Sequence, residues 1–78
     1  MKIKGNSIDF LQKTLLGKQA RFKSNCEFFP KFDVIGKVTR IYYNSNKEII
    51  FEVILSVNKR TIKIGSNMSN LTCELLQV

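Results

Sequence analysis

Glu48 to Val57 reads EIIFEVILSV, and the fold turns on how its alternation is read. The odd positions Ile49, Phe51, Val53, Leu55 and Val57 are all apolar. The even positions run Glu48, Ile50, Glu52, Ile54 and Ser56. Side chains alternate faces along a strand, so this stretch presents one uniformly apolar face and one mixed face. It predicts a central strand whose odd face is the floor of a core, with the rest of the chain arranged to cover it.

On the downstream side, Asn58 and Lys59 predict a tight two-residue hairpin turn, Asn being tolerant of positive φ. Arg60 to Gly65 follows as a strand with Ile62 and Ile64 inward and Thr61 and Lys63 outward. Gly65 to Asn70, GSNMSN, reads as a turn, because Ser and Asn side chains bond nearby backbone. Its amides are also candidates for holding an anion, as turn nests do. Leu71 to Leu76 closes the set, with Leu71, Cys73 and Leu75 on one face and Thr72, Glu74 and Leu76 on the other.

Upstream, Asn44 to Lys47 is a polar turn, and Asp33 to Tyr43, DVIGKVTRIYY, is a second strand. Gly36 inside it predicts a bulge or a close backbone approach. Val38 and Ile41 lie three apart, so strict alternation separates them; a bulge near Thr39 or Arg40 brings them to one face. Ser24 to Asp33 is a loop carrying Cys26, Phe28, Phe29, Pro30 and Phe32. Lys18 to Ser24 alternates Ala20 and Phe22 with Gln19, Arg21 and Lys23, a first strand with a basic outer face. Before it, Ser7 is a natural N-cap, Asp9 suits the positive end of a helix, and Gly17 is a natural stop. Ile8, Leu11 and Leu15 form the stripe of a short helix from Ile8 to Leu16. Residues 1–6 read as a frayed polar arm.

One short helix and five short strands predict a mainly β domain, a small barrel or sandwich. Strand, long loop, a strand containing Gly36-Lys37-Val38, hairpin, strand, the turn Ser66 to Asn70, and strand: this order resembles the SH3-like small β-barrels and their KOW and Tudor-like relatives. The chain is also similar to small proteins of phages and other mobile elements in low-GC bacteria. The resemblance implies an N-terminal arm and helix over residues 1–17 and a five-stranded SH3-like barrel over residues 18–78. It also implies that the first and last strands are neighbours, which brings Cys26 and Cys73 near one another.

Seventy-eight residues make one domain with a thin core, too small to enclose a substrate in a deep pocket. The formal charge is +7, thirteen Lys and Arg against six Asp and Glu. That excess suits an anionic partner, nucleic acid or an acidic protein face. A chain rich in Ile, Lys and Asn also fits an A/T-rich genome, so composition alone leaves both readings open. Two cysteines are too few for a disulfide scaffold, and residues 1–10 carry no signal-peptide pattern. No segment has the ~18 apolar residues of a membrane span. These features predict a cytoplasmic protein.

Histidine is absent, which removes the commonest general base and metal ligand. Two cysteines alone do not make a zinc site, and Cys73 reads as a small core residue. Glu48 and Glu52 share a strand face, but roughly 13 Å of strand separates them, beyond the ~5–9.5 Å of glycosidase-type carboxylate pairs. No Gly-rich phosphate loop is present. The expectation is a non-catalytic binding module with no cofactor and no metal.

Its candidate nucleic-acid contacts are Arg21, Lys23, Lys37, Arg40 and Lys63, with Phe28, Phe29, Phe32 and Tyr43 as stacking or interaction residues. Cations for phosphates interleaved with rings for bases are what single strands require. Three alternatives stand beside this. The lysines are then a solvated face and the phenylalanines a lid on the open end of the barrel. The chain is an interaction module that inhibits an acidic or nucleic-acid-binding host protein. Or it sequesters a small anionic nucleotide. Ile50 and Ile54, outward on the central strand, suggest cover by the helix or a homo-oligomer contact.

Overall fold

The Ser7 hydroxyl accepts a hydrogen bond from the Phe10 amide at 3.3 Å, and a helix starts at the next residue. This is α1 (Ile8–Leu15), in a computed structural model that describes residues 2–3, 5–24, 32–68 and 70–76. Gly17 ends it in the left-handed region, φ +78°, and donates its N–H to the Val38 carbonyl at 2.7 Å. The helix is thereby tied to the sheet at its stop signal. Its buried stripe, Leu11 and Leu15, enters the same core as Phe51, Val53 and Ile64.

Five antiparallel strands follow: β1 (Gln19–Ser24), β2 (Phe32–Tyr43), β3 (Ile49–Leu55), β4 (Thr61–Gly65) and β5 (Thr72–Leu75). They form one sheet in the order β4-β3-β2-β1-β5, so the first and last strands are neighbours as expected. The long β2 is shared: Phe32 to Lys37 pairs with β1, and Gly36 to Tyr43 pairs with β3. The register shifts between Val38 and Arg40, the bulge that the three-residue spacing of Val38 and Ile41 demanded. Both side chains are buried in the core.

The sheet curls about that core. Flat strands are about 4.8 Å apart, so side chains on β1 and β3 start about 10 Å from one another. The Phe22 and Phe51 rings nevertheless meet at 5.4 Å between centroids, tilted by 51°. The curl stops short of closure. β4 and β5 are opposite edges of the sheet, and among the described residues no ladder joins them. The mainly β architecture with a short N-terminal helix is as predicted; the ladder itself is that of an open sheet.

Four local expectations are corrected. The N-terminal arm is not a frayed tail: Ile3 is 1% exposed, its N–H reaches the Leu71 carbonyl at 3.3 Å, and Lys2 bridges to Thr72. The arm thus covers the outer edge of β5 and plugs the core. We expect Ile3→Ala to cost about 2 kcal/mol or more, the range for truncating a buried aliphatic side chain. Urea denaturation checks this, and a loss under about 0.5 kcal/mol, typical of a surface site, would contradict the packing.

The β3–β4 turn is wider than two residues. The Lys59 amide donates to the Leu55 carbonyl at 2.9 Å, and Lys59 rather than Asn58 has positive φ, +61°. Asn58 instead accepts from the Arg60 amide through its side chain. Val57, in phase with the core face in sequence, is lifted out and is 88% exposed. On β5 the inward face runs out early, since Leu71 and Cys73 are buried but Leu75 is exposed. Finally, α1 lies over the odd face of β3 and not the even one. Ile50 needs no such cover, because at 9% exposure it is already buried within one chain, flanked in the ladder by Tyr42 and Gly65.

Candidate anion-binding cleft

The five predicted cations all fall on the outer face of the sheet. Arg21 and Lys23 lie on β1, Lys37 and Arg40 on β2, and Lys63 on β4. They do not form an uninterrupted basic patch, because carboxylates sit between them. Arg21 grips Asp33 with two bonds, Nε to Oδ1 at 2.9 Å and Nη2 to Oδ2 at 2.7 Å. The Arg21 guanidinium thereby holds the Asp33 carboxyl below its usual range, and Asp33 in turn raises Arg21. Arg40 reaches Glu52 at 3.1 Å and lies over the Tyr42 ring, 4.7 Å from its centroid. Lys23, Lys37 and Lys63 have no carboxylate within ion-pair distance among the described residues.

Lys23 is the one that meets other polar groups in a concave setting. A cleft of about 610 Å³ opens where β1, β2 and β5 end, lined by Lys2, Lys23, Phe32, Asp33, Asn70 and Thr72 among others. Cross-strand pairing explains the gathering. Lys23 stands opposite Asp33 on β2 and Thr72 on β5, and the arm brings Lys2 against Thr72 from the far side. Asp33 is turned to Arg21, so the one carboxylate in a lining that includes Lys2 and Lys23 is already neutralised. A second cleft of about 640 Å³ shares Lys2, Asn70 and Thr72 and continues along the β4–β5 turn. Together they form a groove with two cations, side-chain amide and hydroxyl groups, and one half-buried ring, Phe32.

Of the predicted site residues, then, Lys23 and Phe32 both border the cleft, Lys23 from the outer face and Phe32 from the inner, where it packs against the core; Lys37, Arg40 and Lys63 lie on the strands beyond. Tyr43 is exposed at the other end of β2. Phe28, Phe29 and Cys26 lie outside the described residues, as does any pairing of Cys26 with Cys73. Lys2, Asn70 and Thr72 were missed. The trace of Lys2 in sequence is the alternation Lys2-Ile3-Lys4, an apolar residue between two cations, which is a strand pattern and not a tail.

The β4–β5 turn does offer an amide to an anion, but the anion is internal. The Asn67 N–H donates to Glu48 Oε2 at 3.0 Å, and the Asn44 side-chain amide donates to Glu48 Oε1 at 3.3 Å. Glu48 therefore clips the β2–β3 turn to the β4–β5 turn and leaves the groove. Cys73 is buried, and burial pushes its thiol up to about 11, so it is protonated at neutral pH and a poor nucleophile. Among the described residues no three His, Cys, Asp or Glu side chains gather to hold a metal ion. Nor is any helix among them long and apolar enough to cross a membrane. No protein-family model, no curated protein and no solved structure matches the chain.

Proposed function

We propose that the protein is a non-catalytic module that binds single-stranded nucleic acid along this groove. Lys2 and Lys23 take phosphates, Phe32 supports a base, and Asn70 and Thr72 supply hydrogen bonds. The observation that carries the reading is the gathering of Lys2, Lys23 and Thr72 about one cleft whose carboxylate, Asp33, is bound by Arg21, with the Phe32 ring bordering it from the core side. Cations track a backbone and a ring offers a stacking face, the two needs of sequence-tolerant single-strand binding. Lys37 and Lys63 extend the positive field beyond the groove. We read the fold as an opened SH3-like sheet, supported by the β1–β5 pairing, the long shared β2 and its bulge.

Fluorescence anisotropy with labelled oligo-dT and oligo-U, titrated with salt, tests this. The logarithm of affinity is expected to fall linearly with that of salt, by roughly 0.7 per phosphate contact. Lys2→Ala and Lys23→Ala should each reduce the slope by about 0.7, whereas Lys13→Ala on the helix should leave it unchanged. Absence of binding at low salt, or equal effects of all three substitutions, would overturn the proposal.

A further inference from the structure

We propose that β4 accepts a sixth strand: an extended segment of a partner protein whose side chains alternate acidic and apolar. The hydrogen-bond phase of the β3–β4 ladder fixes which backbone groups of β4 face outward. The Leu55 amide donates to the Arg60 carbonyl at 2.8 Å, and the Ser66 amide donates to the Ile49 carbonyl at 2.8 Å. The register between these ends is unbroken, Ile54 opposite Thr61 through to Ile50 opposite Gly65. Bonded pairs recur every second residue in an antiparallel ladder, so Arg60, Ile62, Ile64 and Ser66 face β3. Thr61, Lys63 and Gly65 then turn their backbone groups to the other side. Among the described residues no strand lies there, since β4 is an edge of the sheet. The Gly65 carbonyl is taken by the Met68 amide at 3.2 Å, leaving the Gly65 N–H and both backbone groups of Thr61 and Lys63 facing outward.

Such an edge is a template for another chain. The opposite edge is not equivalent, because the arm already covers β5 through Lys2 and Thr72. Side chains around β4 select the occupant. Lys59 and Arg60 are exposed in the turn that leads into it, and Lys63 is exposed at its centre. Glu52, the ladder neighbour of Lys63, is bound by Arg40 instead. A second copy of this chain, paired β4 to β4, would set these cations against one another, which cross-strand pairing disfavours. An acidic side chain opposite Lys63 is favoured for the same reason. On the inner face, Ile62 is half-buried at the margin of the core, so the alternate partner positions are apolar.

The test uses three acetylated heptapeptides: alternating Glu and Val, alternating Lys and Val, and the Glu/Val peptide N-methylated at each Glu, the residues that would bond to Thr61, Lys63 and Gly65. Amide hydrogen exchange is followed by NMR on the full chain. With saturating Glu/Val peptide, the Thr61, Lys63 and Gly65 amides should slow at least about tenfold, as for a site more than nine-tenths occupied. The Ile62 and Ile64 amides, already bonded to β3, should change little. The N-methylated peptide should give no protection, and Lys63→Glu should exchange the preference from the Glu/Val to the Lys/Val peptide. Lack of protection at the three amides would overturn the proposal. So would equal protection by the N-methylated peptide, an unchanged preference in Lys63→Glu, or protection that grows with protein concentration alone.

Discussion

Replacing Phe51 by alanine is expected to cost about 3–5 kcal/mol, the range for emptying a fully buried phenylalanine site. Phe51 has no exposed surface and sits where β3, the helix stripe and the Phe22 ring meet. A 78-residue domain commonly has a total stability of about 4–12 kcal/mol, so this single truncation removes a large part of it. The site cannot easily collapse, because the sheet is held on both sides of it by β2 and β4. Urea denaturation followed by circular dichroism measures the loss. A double-mutant cycle with Phe22→Ala should return a coupling of about 0.5–1.5 kcal/mol for the tilted ring pair. A loss below about 1.5 kcal/mol at Phe51 would mean that the curl of the sheet is not built around this contact.

Gly36→Ala is the second large effect, and it arises from a single carbon atom. A Cβ at Gly36 would lie 2.5 Å from Val53 Cγ1 and 2.9 Å from the Ile54 carbonyl carbon, and closer still to the Ile54 oxygen. Two of these three atoms are backbone, so β2 and β3 must separate where β2 passes from one partner strand to the other. We expect a cost of about 3 kcal/mol, the upper part of the range for overpacking, or loss of folding. Gly65→Ala is the control. Its Cβ would meet the Glu48 carboxylate at 2.6 Å, the far end of a flexible side chain that can swing away. The expected cost there is about 1 kcal/mol, one hydrogen bond from the Asn67 amide. Equal melting temperatures for the two variants would show that backbone approach at Gly36 is not what limits the site.

Both predictions separate what local pattern can reveal from what it cannot. That Gly36 was a point of close approach could be read from a glycine placed inside a β pattern. Which atoms it approaches could not, because Val53 and Ile54 lie on another strand. Arg21 was legible as an outward cation from alternation alone, and Arg40 only once a bulge after Val38 is allowed for. That Asp33 and Glu52 would engage them depended on cross-strand register, which no property of either strand encodes. The groove follows the same rule. Lys23 and Phe32 were marked by residue type, but their neighbour Lys2 is 21 positions upstream of Lys23 and enters only through its bridge to Thr72.

The sequence by itself determined the helix between Ser7 and Gly17, the strands, the bulge between Val38 and Arg40, and the inward face of β3 from Ile49 through Val53. Each rests on residues one to four apart, where capping, alternation and backbone conformation act directly. Tertiary structure alone decided the rest. It put Ile3 in the core, raised Val57 into solvent and buried Ile50 on the outer face. It distributed the charge so that Arg21 and Arg40 were neutralised while Lys23, Lys37 and Lys63 were left available. These outcomes depend on contacts between residues far apart in the chain. The even face of EIIFEVILSV shows this most clearly: Glu52 answers Arg40, and Ile50 is sheltered between Tyr42 and Gly65. Only the pairing of three strands makes those residues neighbours.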